Sequence, residues 1–94
     1  MTRRPDSAGQ LLRALARSAA AAGCAVELRH EALFPWASAT FVGGQHRVLV
    51  LGEAAAWLAA LPEEDLPLHG HYVASCAVER GDGGAMLTVL VLGD

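Results

Sequence analysis

The sequence predicts an α+β fold: a single two-layer domain with element order α-β-β-β-α-β-β, a mostly antiparallel five-stranded sheet, and both helices on one face. Three observations lead to this prediction. The chain has 94 residues, enough for one domain. Two segments carry apolar residues at helical spacing, and five others alternate or cluster apolar residues as strands do. Glycine-containing segments separate the strand-like runs in the manner of hairpins.

The first helix is predicted over residues 7–22, after a flexible tail of residues 1–6, so that the domain covers residues 7–94. Asp6 or Ser7 offers an N-terminal cap, and Gly23 offers a C-terminal stop. Between them the apolar residues return every three or four positions, which is the spacing of one helix face. Those residues are Leu11, Leu12, Leu15, Ala16 and Ala19.

Three strands are predicted next. The segment CAVELRHE at 24–31 alternates apolar and polar residues, as a half-buried strand does. Residues 36–42 and 45–51 flank Gly43-Gly44, and two glycines between strand-like runs favour a two-residue hairpin turn. Such a tight turn would pair Phe41 with His46 and Trp36 with Leu51.

A second helix and a second hairpin complete the pattern. The segment GEAAAWLAALP predicts a helix over about 53–61, ended by Pro62. Strands are predicted over about 70–79 and 85–92, joined by the glycine-rich segment RGDGG. The last strand is apolar on both faces except for Thr88, a pattern typical of a central or doubly covered strand.

One face of the predicted sheet lacks a cover, because two helices cannot cover both sides of five strands. That face would carry Trp36, Ser38, Leu49 and Leu51. Exposed apolar surface is unfavourable by roughly 25 cal/mol per Å². The sequence therefore predicts a small non-enzymatic interaction domain that homodimerises or docks on another protein through this face. An adaptor, chaperone-like or inhibitor role fits such a domain.

Composition and charge exclude several other functions. A net charge of −3 argues against a nucleic-acid binder, and no run is long enough for a membrane span. Two cysteines do not form a disulfide framework, so a cytoplasmic location is expected. The AAGC box at 21–24 resembles a lipoprotein cleavage site, but Arg13 and Arg17 interrupt the apolar run that a signal peptide needs.

Charge is also unevenly distributed along the chain. Residues 1–23 hold four arginines against one aspartate, whereas residues 51–94 hold one arginine against seven acidic residues. Two interpretations stay open: complementary surfaces that pair with each other or with a charged partner, and ordinary solvated faces.

The stretch LHGHYVASC at 68–76 is the densest in chemically active side chains. In a regular strand His69 and His71 share a face and Cys76 points the other way, so the three cannot bind one ion. The two histidines could still form a ligand or metal site together with His46 or His30. No catalytic residues and no cofactor are predicted, because Ser75 lies about 13 Å along the strand from His71.

The alternative function is a small enzyme or ligand-binding domain. It would use a pocket lined by His46, His69, His71 or Tyr72, and at least two of these should converge on one cavity. Cys24 and Cys76 are predicted to be small buried hydrophobic residues.

Two known layouts share part of the predicted element order. Double-stranded RNA-binding domains also run helix, three strands, helix, but they open their second helix with a lysine-rich stretch, where this chain has GEAAAWL. The full order helix-βββ-helix-ββ is similar to the core of secretion chaperones, which are small, acidic and dimeric. This similarity is one of layout, without a shared motif, and layout alone does not establish function.

Overall fold

The computed structural model describes residues 7–93, so the predicted tail at 1–6 lies outside the described residues. The chain forms a small α+β domain with two α-helices and one antiparallel four-stranded sheet in the order β1-β2-β4-β3. The elements are α1 (Ser7–Ala21), β1 (Glu27–Ala37), β2 (Val42–Leu51), α2 (Ala55–Ala60) followed by a 3-10 turn (Leu61–Glu63), β3 (His71–Gly81) and β4 (Gly84–Gly93).

The predicted fifth strand was wrong, because two predicted strands are one continuous strand. β1 continues through Pro35 and Trp36, and the chain reverses at residues 38–41. Ser38 stabilises this reversal: its N–H donates to the Phe41 carbonyl (2.8 Å), and its Oγ accepts from the N–H groups of Thr40 and Phe41. A serine side chain that accepts backbone N–H groups in this way replaces the glycine turn that the sequence suggested.

Gly43 and Gly44 lie inside β2. Both are glycines because neighbouring atoms occupy the space that a side chain would need. A Cβ added at Gly43 would overlap the Val91 carbonyl, and one at Gly44 would overlap the Leu33 side chain. Glycine within a strand often marks such a close approach. The predicted pairing was therefore wrong as well: Trp36 pairs with Gly43, not Leu51, and His46 pairs with Leu33, not Phe41.

Each outer strand contains a β-bulge. The register of β1 with β2 shifts between His30 and Ala32, and that of β3 with β4 shifts between Val73 and Ser75. The extra residue in each strand reverses the alternation of side chains beyond it. Simple odd-even counting therefore fails in both strands.

The second hairpin agrees with its prediction. β3 and β4 are joined by Asp82-Gly83, and Gly83 adopts the left-handed conformation (φ 77°) that a short hairpin turn requires. β4 pairs with β2 on one side and with β3 on the other, so it is a central strand, as its apolar sequence indicated.

The core lies on one side of the sheet. Alternate residues of the two central strands are buried there, and they form a single cluster with side chains of both helices. We call this side the core face and the other side the open face. The cluster includes Leu11, Leu15, Val48, Val50, Trp57, Leu58, Leu87, Val89 and Val91.

Ser18 connects α1 to the segment that follows β2. Its Oγ accepts from the indole N–H of buried Trp57 (2.8 Å) and donates to the Glu64 carboxylate. This bond satisfies the polar atom of the largest side chain in the core.

Candidate functional site

The open face is organised in rows that cross all four strands. The cross-strand register places Arg29, Leu49, Met86 and Glu79 in one row, from β1 through β2 and β4 to β3. This row, which we call the charged row, is basic at the β1 edge, apolar in the centre and acidic at the β3 edge. Arg29 Nε also contacts Glu27 Oε2 (2.5 Å) on the same strand, and both side chains remain more than half exposed.

A second row, the aromatic row, crosses the opposite end of the open face. It consists of Trp36, Gly43, Leu92 and Tyr72. Leu92 is buried, whereas Trp36 and Tyr72 at the two edges are 38% and 46% exposed. The exposed aromatic surface of the face is therefore concentrated at the end where the β1–β2 turn lies.

The apolar residues of the open face are only half-buried. Leu49, Leu51, Met86 and Leu90 are intermediate in exposure, and none of them belongs to the core cluster. Within residues 7–93 the face thus presents apolar side chains that the core does not use. Contiguous exposed apolar surface is a common mark of an interaction site.

The structure separates the four residues predicted for the interface. Trp36, Leu49 and Leu51 share the open face, but Trp36 lies level with Gly43, which is eight residues or about 26 Å along β2 from Leu51. Ser38 is not on the face, because its side chain stabilises the β1–β2 turn. The prediction placed it there because the hairpin register was wrong.

A pair of histidines lies on the core face. His46 is fully buried, and its Nδ1 lies 2.8 Å from Nε2 of His30, with the two rings packed edge to face. On its other side, His46 Nε2 lies 3.5 Å from Oγ of Ser7, at the start of α1. In this hydrogen bond one of the two facing nitrogens donates its N–H and the other accepts, and the tautomers of the two rings decide which is the donor.

The sequence had suggested both histidines but not their pairing. The expected Gly43-Gly44 turn placed His46 opposite Phe41. In the structure His30 pairs with Val48, and the bulge that follows it brings Leu33 opposite His46. The alternation in CAVELRHE was the available signal, since it placed His30 on the inward side of its strand.

The predicted ligand residues do not converge on one cavity. His71 pairs with Gly93 and His46 with Val89, positions about 13 Å apart along β4. His71 borders a cleft of 760 Å³ together with Ser7, Leu33 and Val42. His69 borders a different surface depression, beside Arg13 and Arg17, and its N–H donates to Gln10 Oε1.

The stretch 68–76 divides differently from its prediction. Cys76 was predicted to point away from His71, but the bulge at Ala74 places both on the core side together with Val73, while Tyr72 and Ser75 lie on the open side. Burial raises the pKa of the Cys76 thiol, which disfavours the nucleophilic thiolate. Both cysteines are free and half-buried.

Among residues 7–93 no three His, Cys, Asp or Glu side chains are grouped so that they could hold a metal ion.

Comparison with known proteins gave no relative: no family model, curated protein or solved structure matches the chain. Neither helix in the described part of the chain has the length and hydropathy needed to cross a bilayer. The candidate site therefore rests on the geometry of the chain itself.

Proposed function

We propose that this protein is a non-enzymatic interaction domain whose open sheet face binds a second copy of the chain. The observation that carries the proposal is the half-buried apolar set Leu49, Leu51, Met86 and Leu90, which lies outside the core cluster. In this proposal both helices cover the core face, and a partner covers the other one. A solvated face of an antiparallel sheet normally carries polar side chains, and here Gln45 and Arg47 lie on the open face beside this apolar set.

The size of the face is sufficient for a modest dimer. Four strands of about ten residues span roughly 19 by 33 Å, or about 600 Å² of sheet on each copy. Two copies would bury about 1,200 Å², the lower end of the range for specific protein–protein interfaces. We therefore expect an equilibrium between monomer and dimer that depends on protein concentration.

Sedimentation equilibrium of Leu49→Glu tests the proposal. At micromolar concentrations the unmodified chain should associate, whereas Leu49→Glu should remain monomeric with the same circular dichroism spectrum, because removal of an added carboxylate from water opposes association. Ala16→Glu is the matched control, since it adds the same charge at an exposed position of α1 and should leave association unchanged. A chain that stays monomeric throughout, or a Leu49→Glu variant that associates normally, would refute the proposal.

The second candidate function is a ligand-binding domain or small enzyme, and fewer residues support it than the sequence suggested. Of the four side chains proposed for its pocket, His71 borders the 760 Å³ cleft, where Ser7 also lies. Ser7 in turn contacts the buried His46. Chemical-shift changes at His71 and Ser7, during titration with a panel of small carboxylic acids and phosphates, would favour this function. Shifts confined to other positions would count against it.

A further inference from the structure

We infer that two copies stack face to face about a twofold axis that lies between the sheets and runs parallel to the strands, so that Arg29 of each copy meets Glu79 of the other. This inference rests on the proposed function, and it names which surface of the second copy each residue contacts. Two rows of the open face lead to it independently.

The charged row is self-complementary about such an axis. Rotation about a line parallel to the strands keeps each row at its own level and exchanges its two ends. β1 of one copy then lies over β3 of its partner, and β2 lies over β4. Arg29 is placed over Glu79 of the partner subunit, and Leu49 over the partner's Met86, as the register of the row dictates. Charge complementarity of this kind selects one orientation among several.

The aromatic row is matched by the same operation. Its exposed ends, Trp36 and Tyr72, exchange places, so each indole meets the phenol ring of the partner subunit. Gly43, which has no side chain, meets the partner's Leu92. Apolar groups thus meet apolar groups at this end of the interface, where the aromatic exposure is concentrated.

A twofold axis perpendicular to the strands gives a poorer match. It would reverse the order of the rows and place β1 over the partner's β1. Trp36 would then lie over Glu27 of the partner subunit, and Arg29 near the partner's Phe34. Like edges would face each other without an opposite charge.

The usual rotation between stacked sheets is compatible with the parallel axis. Aligned sheets cross at about 30°, which moves the outer strands by about 4 Å along their length. An arginine side chain spans that displacement. The Arg29 side chain is also 59% exposed despite its contact with Glu27, so it is available to a second carboxylate.

A mixing experiment with two charge-reversal variants tests the orientation. In Arg29→Glu homodimers both intersubunit pairs become repulsive, and the same holds for Glu79→Arg homodimers. Each variant alone should therefore associate about tenfold more weakly than the unmodified chain. In an equimolar mixture the heterodimer contains two attractive pairs, so association should return to within about threefold of the unmodified value.

The control mixture pairs Glu79→Arg with Arg13→Glu. Arg13 lies on an exposed position of α1, and its reversal gives the same net charge as Arg29→Glu. In this mixture Arg13→Glu should associate with itself as the unmodified chain does, so the readout is a fluorescent label on the Glu79→Arg chain. That labelled chain should associate more weakly with Arg13→Glu than with Arg29→Glu, because the control heterodimer keeps one pair of facing arginines. Recovery in both mixtures, or in neither, would overturn the axis while leaving the proposed dimer standing. A chain that is monomeric before any substitution would instead overturn the proposed function.

Cross-linking gives a second measurement without charge reversal. The middle row of the open face places Ala32 on β1 and Ala77 on β3, level with Arg47 and Thr88. Stacked sheets lie about 10 Å apart, beyond the reach of a disulfide but within that of a short bis-maleimide. In a chain with Cys24→Ser and Cys76→Ser, a mixture of Ala32→Cys and Ala77→Cys should cross-link, and each variant alone should not. Efficient cross-linking of Ala32→Cys alone would indicate β1 over β1 and refute the parallel axis.

Discussion

The two faces of the sheet are built from alternate residues of the same strands, yet only the core face carries the buried cluster. His46 is fully buried, while its neighbour Arg47 is exposed on the other side. In β4, Leu87 is fully buried and Leu90 is half-buried. The central strands place apolar side chains on both faces, but only those of the core face join the buried cluster that includes residues of both helices. The two faces therefore differ in how far the monomer buries their apolar side chains.

Truncation of a leucine on each face should give the largest contrast. Leu87→Ala removes atoms that are fully enclosed by the core, and we expect it to lower the free energy of unfolding by about 2–5 kcal/mol. Leu90→Ala, on the same strand, should cost less than about 1 kcal/mol where the protein is monomeric. Urea unfolding followed by tryptophan fluorescence at low protein concentration measures both. Equal losses would mean that the two faces are equally enclosed in the monomer.

Leu87→Val provides the same comparison if the alanine variant does not fold. It removes a single methylene from the core and should cost about 1 kcal/mol.

Removal of a hydroxyl group should give an intermediate effect. Ser18→Ala leaves the indole N–H of buried Trp57 without its acceptor, and an unsatisfied buried donor costs about 1–3 kcal/mol. The better helix propensity of alanine offsets part of this loss, so we expect about 1 kcal/mol. Ser75→Ala on the exposed side of β3 is the control and should change stability by less than about 0.5 kcal/mol. A Ser18→Ala variant as stable as its parent would show that the bond contributes nothing.

The rate of thiol alkylation should differ between the two faces, and this measurement needs no large change in the stability of the protein. Burial raises the pKa of Cys76 above its ordinary value of 9.0, so at pH 8 the native thiol holds its proton more tightly than the unfolded one. In the Cys24→Ser variant, iodoacetamide should therefore modify Cys76 more slowly in the native state than in urea. The contribution of this shift to stability is present below pH 9.0 and is lost as the pH rises through the raised native pKa.

A thiol introduced at the adjacent position calibrates that rate. Ser75→Cys, in a chain with Cys24→Ser and Cys76→Ser, places the thiol on the open side one residue away. We expect it to react faster than Cys76 in the monomer. A native Cys76 that reacts as fast as the thiol of the Ser75→Cys variant, or as fast as the unfolded chain, would contradict its position on the core side.

Some of this architecture could be predicted from local patterns. Helix α1 was predicted over 7–22 and is found over Ser7–Ala21, and the β3–β4 hairpin lies within two residues of its predicted strands. In both, the boundary is set by a local residue: Gly23 after α1 and Gly83 in the hairpin turn adopt positive φ. Helix α2 was predicted over 53–61, but its α-helical part is shorter (Ala55–Ala60) and the 3-10 turn at Leu61–Glu63 continues it.

The first hairpin could not be predicted because its determinants are non-local. Gly43 is a strand residue, and it is glycine because the carbonyl of Val91, which is distant along the chain, occupies the space that a side chain would need. The bulge at Glu31 reverses the alternation after His30, which no pattern within β1 indicates. The pairing of His30 with His46 depends on both features, so sequence reasoning found the two residues and missed the contact between them.

The bulges in β1 and β3 have a consequence for the addition of further strands at the edges of the sheet. The two strands that carry them are the outer strands of the sheet, and β1 also contains Pro35, which has no N–H to donate. An irregular, proline-containing border is a poor template for another strand, so continuous growth of the sheet from chain to chain is disfavoured. In the proposed dimer, a sequence that is 53% hydrophobic would associate through its open face while its outer strands disfavour the addition of further strands.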